Sequence, residues 1–170
     1  MSFIELAKAR YSCRKLDDRP VEPEKISAIL TAAQVAPTAK NAQPVKIWVI
    51  ESPEAVEKVY QTTVCTFNAK LFFVIGAYAP QAYVRQYDGR NFADIDAGIV
   101  ATHMMLEIQD QGLATTWVGN FDPIKMKELF PEMQDYDLVC VFPTGYAAAD
   151  AHPASRHTEY KPLEELAVRL

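Results

Sequence analysis

The chain has 170 residues, of which 49% are hydrophobic and 23% charged, a composition that suits a soluble folded domain and excludes a disordered chain. A formal net charge of −5 leaves no basic excess to neutralise phosphates, so a general nucleic-acid or membrane-surface binder is also excluded. The three cysteines are far apart with no C-x-x-C pair, which excludes a disulfide framework and a zinc knuckle and favours a reducing cytoplasm.

The length predicts one domain over residues 1–170, large enough to bury a hydrophobic core. The N-terminus carries the acid Glu5 where a signal peptide has a basic segment, and no run of residues is apolar for long enough to span a membrane. We therefore expect a cytoplasmic protein that binds neither nucleic acid nor membranes.

Periodicity, helix caps and prolines predict the secondary structure in chain order. The predicted elements are a short helix over 3–7, a helix from Pro23 to the proline at 37, a strand over 45–50, a helix from Pro53, a strand over 71–78, a long helix from about 94 to Gly112, a strand over 115–119, a helix over 123–130, a strand over 138–144, and a short helix or an arm on a neighbouring subunit over 162–168.

Two of these elements indicate the architecture. The continuous apolar run over 71–78 is typical of a strand buried on both faces. The long helix is apolar around much of its circumference, which predicts a central position. Because strands and helices alternate, the residues predict an α/β or α+β domain with a central sheet.

Arg10, Ser12 and Arg14 are spaced two residues apart, so in an extended or turning segment they face the same side. Two guanidiniums and a hydroxyl on one side suit a phosphate, or the carbonyl edge of a planar heterocycle. The spacing alone favours the simpler alternative, which is the solvated basic end of a helix.

A short polar segment between Pro37 and Pro44 carries the amide side chains of Asn41 and Gln43. Prolines at both ends keep the segment out of a helix and make it rigid. The two amides would either bind the amide edge of a ligand or tie down a turn.

Three further features have a functional and a structural interpretation. Gly119-Asn120 ends a strand before a helix, where free backbone N–H groups are available to an acceptor, although an ordinary turn capped by Asp122 is more common. Arg156 is a second possible phosphate ligand or a solvated arginine. His103, within an apolar helix, is better explained as a hydrogen-bonded core residue than as a catalytic one.

The chain has no G-x-G-x-x-G, P-loop or G-x-S-x-G motif, no metal-spaced histidine pair and no clear nucleophile with its base. We therefore predict no metal site and no catalytic side chain. If the protein is an enzyme, a cofactor supplies the reactivity.

Together and in this order, the motifs resemble those of the FMN-dependent nitroreductase family, from Phe3 to about Leu166. An R-x-S-x-R/K motif is matched by Arg10, Ser12 and Arg14. A P-S-x-x-N-x-Q-P motif is matched by Pro37, Thr38, Asn41, Gln43 and Pro44. The remaining motifs are a G-L-x-T-x-W-x-G at Gly112, Leu113, Thr115, Trp117 and Gly119, and a closing G-Y with a later basic residue at Gly145, Tyr146 and Arg156.

The resemblance implies an α+β fold, with a central and mostly antiparallel sheet wrapped by helices, and an obligate homodimer with FMN at the subunit interface. The residues that it implies for FMN binding are Arg10, Tyr11, Ser12, Arg14 and Arg156 from one subunit, with Pro37, Thr38, Ala39, Asn41 and Gln43 from the other. Backbone groups of Gly119 and Asn120 would lie near flavin N5, and Arg14 near N1 and the C2 carbonyl, where its charge would tune the flavin.

The function implied is that of an FMN-dependent oxidoreductase, which takes hydride from NADH or NADPH and passes electrons to a nitroaromatic, a quinone or a similar small acceptor. Two alternatives stay open: other flavin chemistry, such as reductive dehalogenation or flavin cleavage, and flavin binding without significant turnover. Lys40 and Val45 depart from the family pattern, and residues 88–94 resemble a subgroup of small members without an assigned substrate.

Overall fold

The computed structural model describes residues 2–170. Its helices and strands are α1 (Phe3–Ala9), α2 (Pro23–Val35), β1 (Val45–Ile50), α3 (Pro53–Tyr60), β2 (Leu71–Ala77), α4 (Ala93–Asp110), β3 (Ala114–Thr115), α5 (Pro123–Leu129), β4 (Asp137–Gly145) and α6 (Leu163–Leu166). Short 3-10 turns lie at Ala39–Asn41, Ala79–Gln81, Pro131–Met133 and Ser155–Thr158. The predicted elements are present, with one difference at β3.

The four strands form an antiparallel sheet in the order β1-β2-β4-β3. In this sheet Trp48 of β1 pairs with Val74 of β2, and Phe73 of β2 pairs with Phe142 of β4. Every residue of β2 is buried, as its continuous apolar run predicted. The α+β architecture with a mostly antiparallel sheet is confirmed.

The strand predicted over residues 115–119 is wrong in extent. β3 ends at Thr115, and the chain rejoins β4 only at Val118, which forms a single bridge with Val141. The register on both sides of the gap would place Thr116 opposite Pro143. Because proline has no N–H to donate to the ladder, the pairing is interrupted at this point.

Helices cover both faces of the sheet. One face packs against α2 and α4 through Phe73, Ile75 and Phe142, while Phe72 and Val74 face the core beneath α3 and α5. α4 contacts α1, α2 and all four strands, which confirms its predicted central position. None of the helices in residues 2–170 is long and apolar enough to cross a membrane.

Tyr146, directly after β4, holds the end of this strand against the start of α2. Its hydroxyl donates to the two carboxylate oxygens of Glu22 at 2.9 and 2.7 Å and accepts a hydrogen bond from Lys25 Nζ at 2.9 Å. The guanidinium of Arg19 lies 4.0 Å from the centre of the ring. These contacts join the end of β4 to the start of α2, 124 residues earlier in the chain.

We expect Tyr146→Phe to lower the melting temperature in a pH-dependent way. The hydrogen bond from Tyr146 is the main cause that holds the pKa of Glu22 below its ordinary value. Since the folded pKa is the lower one, this bond stabilises the fold above the ordinary pKa of the carboxyl, and that contribution is lost as the pH falls through the folded pKa. Thermal unfolding of both proteins from neutral to acidic pH measures it.

The loss of melting temperature in Tyr146→Phe should therefore shrink as the solution is acidified. Tyr87→Phe is the control, because Tyr87 is 97% exposed. A loss of equal size at every pH would mean that the Glu22 bond does not couple to folding.

Candidate flavin site

The segment from Arg10 to Arg14 forms an additional edge beside β3. Ser12 makes a parallel bridge with Thr115, and Cys13 N donates to the Thr115 carbonyl at 3.0 Å. Cys13 is fully buried in the core beneath α3 and α5. The bridge to Thr115 makes the segment extended, and successive side chains of an extended segment point to opposite sides. Arg14 and Ser12 are consequently on the side away from the core.

The Arg14 guanidinium is exposed and has no carboxylate partner among residues 2–170. Its single side-chain hydrogen bond goes to the Ser12 carbonyl at 3.3 Å. Arg10 and Arg156 likewise form no ion pair within residues 2–170. Lys15 differs, because it pairs with Asp150, and this pairing lowers the pKa of Asp150. Three cations in an acidic chain are thus left available to an anion.

A groove of about 250 Å³ lies between this segment and the loop after β4. Ser12, Arg14 and Lys15 line one side, and the loop over 150–154 lines the other. Ala148 N donates to the Lys15 carbonyl at 3.0 Å, so the loop is held beside the segment by its backbone as well as by the Lys15–Asp150 pair. Asp150 also lines the groove but is paired with Lys15, so the Arg14 guanidinium and the Ser12 hydroxyl are the groups available to an anion.

The turn that carries Arg156 docks on the same part of the molecule. His157 Nε2 lies 3.2 Å from the Lys8 carbonyl at the end of α1, and its ring meets Tyr11 edge-on at 6.2 Å between centroids. Burial of Tyr11, aided by a hydrogen bond with Cys13, raises the pKa of its hydroxyl. His157 was not among the predicted site residues, because its contact with Lys8 spans 149 residues of sequence.

The segment between the two prolines has an unusual backbone. Lys40, Asn41 and Gln43 have φ values of 53°, 53° and 50°, in the left-handed region where side chains other than glycine are disfavoured. Thr38 stabilises the turn, since its carbonyl accepts from Asn41 N at 2.9 Å and its Oγ1 from Gln43 N at 3.0 Å. These two hydrogen bonds hold the turn between the prolines, and the rigidity of the segment stays a prediction.

The amides of Asn41 and Gln43 bond to each other, with Gln43 Nε2 donating to Asn41 Oδ1 at 2.9 Å. Neither side chain makes another hydrogen bond within residues 2–170, and both are exposed. The contact leaves the Asn41 Nδ2 donor and the Gln43 Oε1 acceptor for other partners. The N–H of Ala39 donates a hydrogen bond to a residue outside the segment, Asp96 Oδ1, at 2.9 Å.

Gly119 and Asn120 are in an exposed loop pinned to the loop before β2. Thr63 Oγ1 donates to the Asn120 carbonyl at 2.7 Å, and Asp122 N donates to the Thr62 carbonyl at 2.8 Å. A Cβ placed on Gly119 would meet no other atom within 4 Å. The space beside the Gly119 backbone is therefore open.

Apart from Gly119 and Asn120, the predicted site residues fall into two groups. Arg10, Tyr11, Ser12, Arg14 and Arg156 lie at the edge beside β3, where Ser12 pairs with Thr115 four residues before Gly119. Pro37 to Gln43 form the second group. Within residues 2–170 no hydrogen bond or ion pair joins the groups, and they line separate cavities, of about 250 Å³ for Ser12 and Arg14 and about 260 Å³ for Thr38 and Gln43.

His103 is not part of either group. Its Nδ1 lies 2.9 Å from the Ile99 carbonyl on the same helix, and the ring is half-buried. The hydrogen bond agrees with the interpretation of His103 as a structural residue, but the ring lies at the margin of the core and not within it. No cluster of three or more His, Cys, Asp or Glu side chains in residues 2–170 is arranged to hold a metal ion.

A protein-family model described as the nitroreductase family matches this chain over residues 7–70 and 63–146. These two matches cover most of the sequence. The chain belongs to the nitroreductase family.

Individual relatives agree with this membership. YdgI of Bacillus subtilis (strain 168), provisionally named an NAD(P)H nitroreductase, is 27% identical over 193 aligned positions, which cover 91% of this chain and 92% of YdgI. The crystal structure of a nitroreductase family protein from Clostridium difficile 630 has a TM-score of 0.91 and 35% identity over 99% of this chain and 98% of that one.

A third relative shows the fold alone. It is a protein from Exiguobacterium sibiricum 255-15, provisionally named a nitroreductase and crystallised in complex with FMN. Its TM-score is 0.86 at 19% identity, over 100% of this chain and 98% of that one.

Proposed function

We propose that this protein is an FMN-dependent NAD(P)H oxidoreductase that reduces a nitroaromatic, a quinone or a similar small acceptor. The observation that carries the proposal is the edge beside β3, where Arg10, Ser12 and Arg14 lie near the turn of Arg156 and none of the three arginines has an acidic partner in residues 2–170. Family membership and the FMN complex of the Exiguobacterium sibiricum neighbour support it.

The unpaired guanidiniums at this edge suit the negative charge of FMN. Arg10, Arg156 and the Ser12 hydroxyl would bind the phosphate, whose charge the unpaired guanidiniums complement. Arg14 would hold its fixed charge beside the N1 and C2 side of the ring. The open backbone at Gly119 would admit the ring edge. When bound, the flavin would supply the redox chemistry, accepting hydride from the nicotinamide and passing electrons to the acceptor.

The second group of residues would come from a partner subunit. Pro37, Thr38, Ala39, Asn41 and Gln43 lie apart from the cationic edge in one chain, so we propose a homodimer whose two sites each combine both groups. The C-terminal part of the chain supports an intersubunit role, because Tyr160, Leu163 and Val168 are 71%, 76% and 79% exposed. Apolar side chains this exposed are typical of an interface.

Residues 1–170 would act as a single FMN-binding domain in the cytoplasm. The three cysteines, Cys13, Cys65 and Cys140, are all unpaired thiols, which suits a reducing compartment. Burial raises the pKa of the Cys140 thiol, which makes it unreactive.

We expect the protein to bind FMN in preference to FAD. A phosphate site built from a short edge and a loop, without a dinucleotide fold, offers no site for the adenylate. The test is chromatography of the flavin released from purified or reconstituted protein, followed by anaerobic titration with NADH and with NADPH. Bleaching of the bound flavin by either nicotinamide is expected. Release of FAD, or no flavin after reconstitution, would overturn the proposal.

A further inference from the structure

Asp96 is a buried carboxylate with one oxygen left unpartnered among residues 2–170. It lies in the first turn of α4 with 1% of its surface exposed. One oxygen, Oδ1, accepts the hydrogen bond from Ala39 N at 2.9 Å, while Oδ2 has no hydrogen-bond partner within residues 2–170. No lysine, arginine or histidine of the described chain pairs with it.

Such an environment is unfavourable for a carboxylate. Burial without full hydrogen bonding costs free energy, and an apolar residue of similar size would pack without that cost. The N-terminal end of α4 offsets part of the cost, because the helix dipole favours negative charge in the first turn. The hydrogen bond that Asp96 accepts from Ala39 N is the stabilising contact that an apolar residue at this position would not make.

Ala39 begins the turn in which Lys40, Asn41 and Gln43 adopt left-handed backbone conformations. Such conformations persist when surrounding contacts over-determine them. Two side chains from outside form hydrogen bonds with the backbone of this turn: Asp96 accepts from Ala39 N, and Gln81 Nε2 donates to the Ala42 carbonyl at 2.7 Å. The Asp96 contact is the buried one, where a hydrogen bond to a charged acceptor is strongest.

We infer that Asp96 is a positioning residue, which holds the turn over Ala39–Gln43 in the conformation that binds FMN through its bond to the Ala39 N–H. This inference rests on the proposed function, since it assigns the turn a role at the flavin. With 1% of its surface exposed, Asp96 offers little surface for direct contact with a flavin. Its effect passes through the backbone of Ala39 to Asn41 and Gln43, whose remaining polar atoms are free for a ligand.

The test combines substitutions on both sides of the bond. Asp96→Ala removes the acceptor, Asp96→Asn keeps an oxygen that can accept, and Ala39→Pro removes the donor while keeping a backbone that suits the start of a helical turn. Asp94→Ala is the matched control, because Asp94 is an exposed acid in the same turn of α4. FMN affinity is measured by flavin fluorescence, the flavin environment by visible circular dichroism, and the Ala39 amide by hydrogen exchange.

We expect Asp96→Ala and Ala39→Pro each to weaken FMN binding by roughly tenfold or more and to change the flavin dichroism, because each removes a hydrogen bond to a charged group. Asp96→Asn should lose less affinity for FMN than Asp96→Ala. The double variant of Asp96→Ala and Ala39→Pro should bind FMN as well as the poorer binder of the two single variants, since both changes break the same hydrogen bond. In the apoprotein, Asp96→Ala should speed exchange at Ala39, while Asp94→Ala should behave as wild type.

Unchanged FMN affinity and dichroism in Asp96→Ala, or Asp96→Asn as weak as Asp96→Ala, would overturn the inference. Should Asp96→Ala fail to fold, Ala39→Pro gives the same test with the carboxylate retained. Failure of the proposed function is distinguishable, because then the wild type and the Asp94→Ala control would themselves bind no FMN.

Discussion

Replacing Arg14 by alanine is expected to weaken FMN binding on the order of 10- to 100-fold, the loss typical of one charge-assisted hydrogen bond. Arg14 is exposed, and within the described residues 2–170 it forms no ion pair and its side chain makes a single hydrogen bond, to the Ser12 carbonyl. Its side chain therefore adds little to the fold, and the melting temperature of the apoprotein should hardly change. Titration of apoprotein with FMN, followed by flavin fluorescence, measures the affinity.

The same substitution should make the bound flavin harder to reduce. A fixed positive charge beside N1 and C2 would stabilise the negative charge that the ring gains on reduction, so its loss lowers the potential. Anaerobic reduction in the presence of a redox dye measures this shift. Flavin affinity and potential that both stay at wild-type values would place Arg14 away from the ring.

Two further variants separate charge from geometry. Arg14→Lys keeps the charge but loses the planar fork of donors, so we expect an affinity between those of wild type and Arg14→Ala. Lys127→Ala on α5 removes an equal charge from a residue outside both groups, and should leave FMN binding unchanged.

The sequence predicted those parts of the fold that local signals decide. Ser52 caps α3 by accepting from Ala55 N, and Asp122 caps α5 by accepting from Ile124 N and Lys125 N, as their positions before proline indicated. The buried strand β2 followed from its apolar run. The extent of β3 did not, because its end depends on Pro143, which lies on another strand.

The sequence predicted which residues form the candidate site, but not the hydrogen bonds that hold those residues in place. The motif spacing identified both groups, and their assignment to FMN stays a prediction. The contacts that hold them join residues far apart in sequence: Ala39 with Asp96 and Thr63 with Asn120 are each 57 positions apart. Asp96 was not among the predicted site residues, since no periodicity or spacing marks a hydrogen bond between residues so far apart in the chain.

Mixing two inactive variants should restore activity if the site is shared between subunits. We expect Arg14→Ala, in the cationic group, and Gln43→Ala, in the turn between the prolines, each to lose most activity at a limiting FMN concentration. After exchange of subunits in an equimolar mixture, half of the dimers would be mixed. Each mixed dimer would carry one site with both substitutions and one with neither, so about a quarter of all sites would be intact.

The physical reason is the separation of the two groups in one chain, where Arg14 and Gln43 line different cavities with no hydrogen bond or ion pair between the groups in residues 2–170. In a two-fold symmetric dimer, each site would take the cationic group from one subunit and the turn between the prolines from the other. A substitution in either group of one subunit would therefore impair only one of the two sites. Activity is measured before and after exchange, induced by dilution and reconcentration, because association depends on protein concentration.

The control is a mixture of Arg14→Ala with Arg10→Ala, which damages the same group in both subunits. Every site of a mixed dimer would then carry one of the two substitutions, and no recovery is expected. Recovery in the first mixture and none in the second requires that Arg14 and Gln43 of one site come from different chains. Sedimentation must show exchange in both mixtures; no recovery in an exchanged mixture of Arg14→Ala and Gln43→Ala would assign both residues to one subunit and refute the shared site.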